Sequence, residues 1–224
     1  MIVKDAELEL VVGRRGTGKS TLTALLLGDR PKVVVFDPRA EYDGRGWTQC
    51  RTLKAVLDAM KKRWAKGFKI AFVPVAGQEQ EQLHKLTRVL WRAQAPYEAG
   101  RDPRKLTLVV EEADLSYPVH RLPAELNGMN AVCNQGRHVG IEAIAVTQRP
   151  ALINANFRGN AARVYVLPLA DENDKQAILK QIGRAHDSTL RTLEPYHFLM
   201  LENGQVRPGR LAKKGRKVEI SLAS

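Results

Sequence analysis

Eight residues, GRRGTGKS from Gly13 to Ser20, match the pattern G-x-x-x-x-G-K-S/T at every fixed position. Each residue type in it suits the holding of polyphosphate. Glycines at 13, 16 and 18 let the backbone fold around phosphate oxygens and aim its amides inward. A helix starting at the end of the motif adds partial positive charge there. Lys19 offers a point charge to β and γ phosphates, and the Ser20 hydroxyl is an oxygen of the kind that ligates Mg²⁺. The expected ligand is ATP with Mg²⁺, cradled by Gly13, Arg15, Gly16, Thr17, Gly18, Lys19, Ser20 and Thr21. Glycine-rich strand-to-helix turns also occur without a ligand, but the full pattern in that context disfavours a mere turn.

A phosphate cradle needs an acidic group at the end of a neighbouring strand, to hold the metal and its waters. "LTLVVEEAD" supplies one: a five-residue, mainly apolar run from Leu106, then Glu111 and Glu112. Successive residues at a strand end point in different directions. Glu111 can therefore face the metal while Glu112 faces the γ-phosphate, where a carboxylate orients and deprotonates water. That second carboxylate favours hydrolysis over a small-molecule kinase, whose acceptor hydroxyl is its own nucleophile. "GRHVGIEAIAVTQRP", Gly136 to Pro150, ends a short apolar strand in Thr147, Gln148 and Arg149. In enzymes with the extra glutamate, such a strand lies between the cradle strand and the acidic strand. Gln148 would then sit beside the γ-phosphate, as a sensor or a holder of the lytic water.

These groups need a scaffold that brings several strand ends together. Leu8 to Val12 reads as the first strand, and a helix runs from the cradle to near Gly28. "KVVVFDP", "KIAFVPV" and "LTLVV" are continuous apolar runs, as in parallel strands buried on both faces. Helical periodicity covers Lys54 to Lys66, Gln78 to Gln94, Ala124 to Gln135 and Asp174 to Ile182. "ARVYVLPL" and "HFLMLENGQVRPG" supply the later strands, the second folded back at Asn203-Gly204. The expected class is α/β, a P-loop NTPase of the additional-strand, catalytic-glutamate type. Its mainly parallel sheet is covered by helices on both faces and followed by a C-terminal hairpin and basic tail. The domain boundary is expected at 206, with residues 207–224 as the tail.

The chain has 224 residues, a formal charge of +12 and two cysteines. Cys50 and Cys133 lack metal-type spacing and are expected as reduced thiols in a cytoplasm-like compartment. No apolar run is long enough to cross a membrane. The excess of positive charge gathers in Lys61 to Arg63, in "GRDPRK" from Gly100, and from Arg207 to Lys217, pointing to a polyanionic partner. Lys213, Lys214, Arg216 and Lys217 are expected to touch phosphate backbone without reading sequence. "GRDPRK" is also the lone lid-like stretch a kinase reading would have available.

"VVGRRGTGKST", "VVVFDPRAEY", "LTLVVEEAD" and "NQGRHVGIEAIAVTQRP", taken in order, resemble the successive motifs of the HerA–FtsK superfamily of DNA-pumping ATPases. The resemblance spans roughly residues 8 to 170. It implies a ring-forming motor, a hexamer or pentamer, with Gln148 as sensor. It also implies that Arg137 of the "GR-x-x-G" turn is a finger reaching a neighbour's nucleotide, with Arg149 and Arg158 as rival fingers. Most members carry aspartate then glutamate after the acidic strand, whereas both residues are glutamate here. A bare ATPase core with a basic tail looks most like the genome-packaging ATPases of internal-membrane icosahedral viruses. The partners so implied are double-stranded DNA and capsid or membrane-vertex proteins, in host cytoplasm or virion. A conjugation or filamentous-phage assembly ATPase is the nearest alternative. Asp37 and Glu41 of "DPRAEY" match the second motif and are expected to close a loop near the nucleotide.

Overall fold

The computed structural model of the chain describes residues 6–44, 46–214 and 217–222. One ten-stranded sheet organises them. The parallel strands are β1 (Leu8–Val12), β2 (Lys32–Phe36), β3 (Thr48–Cys50), β4 (Phe68–Phe72), β5 (Leu106–Val110), β6 (Ile141–Thr147) and β7 (Arg163–Val166). Antiparallel additions follow: β8 (His197–Glu202), β9 (Gln205–Lys214) and β10 (Lys217–Leu222). Their order across the sheet is β10-β9-β8-β7-β1-β6-β5-β2-β4-β3. β6 thus pairs with β1 on one side and β5 on the other, as the sensor-strand reading requires.

Alternation within the apolar strands feeds two cores. Leu10 and Val12, Val34 and Phe36, and Leu108 and Val110 point into the larger one. Val11, Val33, Val35 and Val109 point into the other. The larger core is covered by α2 (Leu53–Arg63), α3 (Glu79–Ala93), the short α5 (Ala113–Ser116) and α6 (Gly128–Gln135), while the short α4 (Ala95–Glu98) follows α3. α7 (Ala155–Asn160), α8 (Glu172–Ile182) and α9 (Asp187–Thr192) complete that cover. The second core lies under α1 (Lys19–Leu27), whose Leu22 and Leu27 are buried in it. α6 starts later than its periodicity predicts, because Pro123 and Asn127 keep the preceding stretch in turns.

The basic tail expected from residue 207 needs correction: residues 207–214 extend β9, and residues 217–222 pair with them as β10. Leu211 is buried, and Val218 and Ile220 pack on the core beneath α1. The run V-E-I-S-L from Val218 alternates apolar and polar residues, which is a strand signature. Lysines on either side obscured it. Gly209 is required where β9 crosses β8, since a β-carbon there would lie 2.5 Å from the Phe198 ring. Arg216 and the side chains of Lys213, Lys214 and Lys217 lie outside the described residues. Among the described residues no helix is long and apolar enough to cross a membrane, and both cysteines are buried and unbridged.

Candidate functional site

The cradle hangs between two neighbouring strands. Gly13 N donates to Thr147 O at the end of β6 (3.3 Å), and Arg14 N donates to Pro168 O just past β7 (2.8 Å). The Thr17 hydroxyl closes the loop from inside by donating to Arg14 O at 2.8 Å. Gly16 and Gly18 take φ of 77° and 106°, a left-handed backbone that side chains resist. α1 then begins at Lys19, with no side chain capping its first amides. Uncapped amides at a helix start are donors available to an anion, and Gly18, Lys19 and Ser20 all line the adjoining cavity. Lys19 Nζ donates to Arg14 O at 3.1 Å, and burial pulls its pKa below the usual lysine range against the opposing pull of Glu112, Glu111 and Glu41.

β5 delivers the two glutamates to the same cavity, which measures about 610 Å³. Its walls include Arg15, Lys19, Ser20, Thr21, Glu111, Glu112 and Gln148, so the groups expected from three separate motifs meet at one place. That volume suits a nucleotide-sized ligand. The Glu111 backbone still follows the sheet, its N–H donating to Phe36 O at 3.0 Å. Its carboxylate accepts the Tyr42 hydroxyl at 2.6 Å. Burial lifts the Glu111 pKa to about 7, with Asp37, Glu41 and Glu112 adding like charge and the Tyr42 bond opposing them. Glu112 turns the other way. Its φ of 45° is left-handed, a strained state that tends to persist where function requires it. Its Oε1 accepts Gln148 Nε2 at 3.0 Å and Arg39 Nε at 2.9 Å. Longer glutamate in place of the usual aspartate thus leaves Glu111 on the cavity wall, held there by Tyr42.

Asp37 explains its own motif. Its buried carboxylate accepts the backbone N–H of Glu41 at 3.1 Å and of Tyr42 at 2.9 Å. The loop after β2 is thereby pulled into a turn that sends Arg39 to Glu112 and Tyr42 to Glu111. Sequence reasoning missed Arg39 and Tyr42, although both stand in the quoted "DPRAEY". Only the folded turn shows that one aspartate presents them to both glutamates. Tyr196, which also lines the cavity, was missed altogether.

The candidate fingers separate clearly. Arg149 is tied by its Nε to Asp174 Oδ2 at 2.8 Å, and Arg158 donates to Pro150 O at 3.0 Å. Arg137 is exposed, in the 3₁₀ turn Gly136–Val139 ahead of β6. β6 carries Gln148 past its far end, so Arg137 lies about 23 Å from its own cradle, at roughly 3.3 Å per strand residue. "GRDPRK" does not reach the cavity either. It precedes β5, where Asp102 accepts Lys32 Nζ at 2.9 Å and Arg104 donates to Trp64 O and Ala65 O.

No protein-family profile and no curated protein matches the chain. Solved structures do. The genome packaging NTPase B204 from Sulfolobus turreted icosahedral virus 2, in complex with ATPγS, superposes at a TM-score of 0.67 and 18% identity, over 96% of each chain. The chain has the P-loop ATPase fold. VirB4 of Thermoanaerobacter pseudethanolicus gives a TM-score of 0.57 at 13% identity, over 88% of this chain and 87% of that one. ATPases 2 and 3 of EssC from Geobacillus thermodenitrificans give 0.59 at 14% identity, covering 98% of this chain but 40% of that one. The structural likeness thus runs over nearly the whole chain, well beyond the four short motifs.

Proposed function

We propose that the chain hydrolyses ATP to move double-stranded DNA, as a viral genome-packaging motor. The observation that supports hydrolysis most directly is the Glu112–Gln148 hydrogen bond on the wall of the phosphate cradle. It joins a base candidate to an uncharged amide at the place a lytic water must occupy. Packaging is supported by the likeness to B204 and by the +12 charge.

Mg²⁺ fits the residues present. Ser20 lines the cavity with Glu111, a desolvated carboxylate crowded by three like charges, which a divalent cation would relieve. Bound there, the ion would neutralise charge across the phosphates. In this reading the loop amides and Lys19 hold the phosphate oxygens. Gln148 orients the water and Glu112 takes its proton, while the oxygen attacks phosphorus and the γ-phosphate parts from ADP. Arg137, too far from its own cradle, serves the site of the next subunit in a ring. Capsid or membrane-vertex proteins would anchor that ring, in host cytoplasm or virion.

ATPase rates with and without double-stranded DNA, single-stranded DNA and RNA test the proposal. Strong stimulation by double-stranded DNA is the expected result. Indifference to all three polymers, or phosphate passed to a nucleoside, would exclude it.

A further inference from the structure

Tyr196 is the one aromatic among the described large apolar residues left well exposed, at 51% of its surface. It stands in the loop before β8 with a φ of 67°, a left-handed conformation unfavourable for a tyrosine. Two backbone bonds hold it there: its N–H donates to Thr17 O at 2.9 Å, and its carbonyl accepts Leu211 N–H at 2.8 Å. The ring lies over the cradle so closely that a β-carbon on Gly18 would come within 2.9 Å of it. A strained backbone tethered to the cradle therefore places an aromatic ring on the wall of the same cavity as Lys19 and Glu112.

The sheet order sets which part of a bound nucleotide would lie near that ring. Glu111, Glu112 and Gln148 follow β5 and β6, on one flank of β1. Tyr196 comes from the loop entering β8, on the other flank, beyond β7. A nucleotide with its γ-phosphate at the carboxylates and its chain laid across the cradle would bring its base to the flank of Tyr196. Flat bases stack on such rings whatever their edges, because every base offers a π face.

We propose that Tyr196 is the stacking platform for the nucleotide base, a subsite that adds affinity without selecting among bases. The proposal rests on the nucleotide reading above. The competing role is mechanical, the ring bracing Gly18 and Leu211.

Calorimetric titration of ATPγS and of inorganic tripolyphosphate separates the two roles, using wild type, Tyr196→Ala and Tyr196→Phe. Tyr196→Ala is expected to weaken ATPγS about tenfold, as loss of a base–aromatic stack does. Tripolyphosphate, which has no base, should bind it as it binds wild type, and Tyr196→Phe should retain ATPγS affinity. Equal weakening of both ligands by Tyr196→Ala would show a brace and overturn the platform. Unchanged ATPγS affinity in Tyr196→Ala would also overturn it, with the nucleotide site left standing. A wild type that binds neither ligand would remove the nucleotide reading itself and the platform with it.

Discussion

Two charged clusters occupy opposite ends of the same sheet, and they use their charges in opposite ways. At the N-terminal ends of β2 and β5, Asp102 is saturated. It accepts Lys32 at 2.9 Å and the Arg104 fork through two bonds of 2.8 Å. Lys32 is buried with its ammonium 3.8 Å from the centre of the Trp64 ring. The Arg104 fork and the Lys32 bond hold the Asp102 carboxyl well below the usual carboxylate range. At the C-terminal ends, by contrast, burial pushes Glu111 up to about 7, and Glu112 is held by an exposed arginine and an amide. One cluster has every charge spoken for and nothing to offer a ligand. The other keeps a desolvated carboxylate and open donors, which is the state a binding site needs before its ligand arrives.

The sharpest way to break that contrast is to show that the quiet end also does chemistry. Arg137 belongs to it by position, yet the proposed motor needs it in the next subunit's site. Arg137→Ala should lower turnover by ~10³ to 10⁵, roughly 4 to 7 kcal/mol of transition-state stabilisation. Co-assembly with Lys19→Ala should restore part of the activity, since some interfaces then join an intact cradle to an intact finger. Mixed rings that form and stay inactive would rule out the trans role.

Next in size is Glu112→Gln. It keeps the shape of the side chain and removes the base, so turnover should fall about 10² to 10⁴-fold while nucleotide still binds. Lys19→Ala should lose binding and turnover together. Near-wild-type hydrolysis by the Gln variant would move the base elsewhere.

Asp102→Asn tests the other end. Stranding Lys32 inside the protein should cost about 3 to 5 kcal/mol in urea unfolding while leaving nucleotide affinity intact. The pH dependence follows in sign. The folded Asp102 pKa lies below the unfolded value of about 3.9, so its contribution is whole above that value and fades as pH falls through the folded one. The stability gap between wild type and the Asn variant should be level from about pH 7 to 5 and shrink below about pH 4. A gap that grew in acid would contradict the pairing.

The smallest effect concerns Lys213, Lys214, Arg216 and Lys217. Neutralising all four should flatten the salt dependence of DNA binding by about one slope unit for each phosphate they had neutralised. An unchanged slope would leave them as solvated charge.

What could be read in the chain follows the same division. The cradle was legible because its glycines and lysine are consecutive and each spacing has one geometric meaning. Glu111, Glu112 and Gln148 were legible because each ends an apolar strand, and the order β1-β6-β5 then brings them together. Arg39 and Tyr42 were not, since their targets lie about seventy positions away and depend on the turn that Asp37 folds. Tyr196 was hidden for a similar reason: its neighbours Thr17 and Leu211 come from either side of it in the chain. β10 was lost for lack of an apolar run, although its alternation was in plain view.

β6 pairs with β1 over Ala143 to Thr147 and with β5 over Ile141 to Ala145, with Gln148 past one end and the Arg137 turn before the other. A strand held by ladder hydrogen bonds from one end to the other, and on both edges at its middle, resists stretching and bending. In the proposed ring, a shift at the Gln148 end would be passed along it to the Arg137 turn. Each subunit's fuel state would then set the timing of the next. Firing would pass around the ring in sequence, and ATP saturation curves would rise with a Hill coefficient above one.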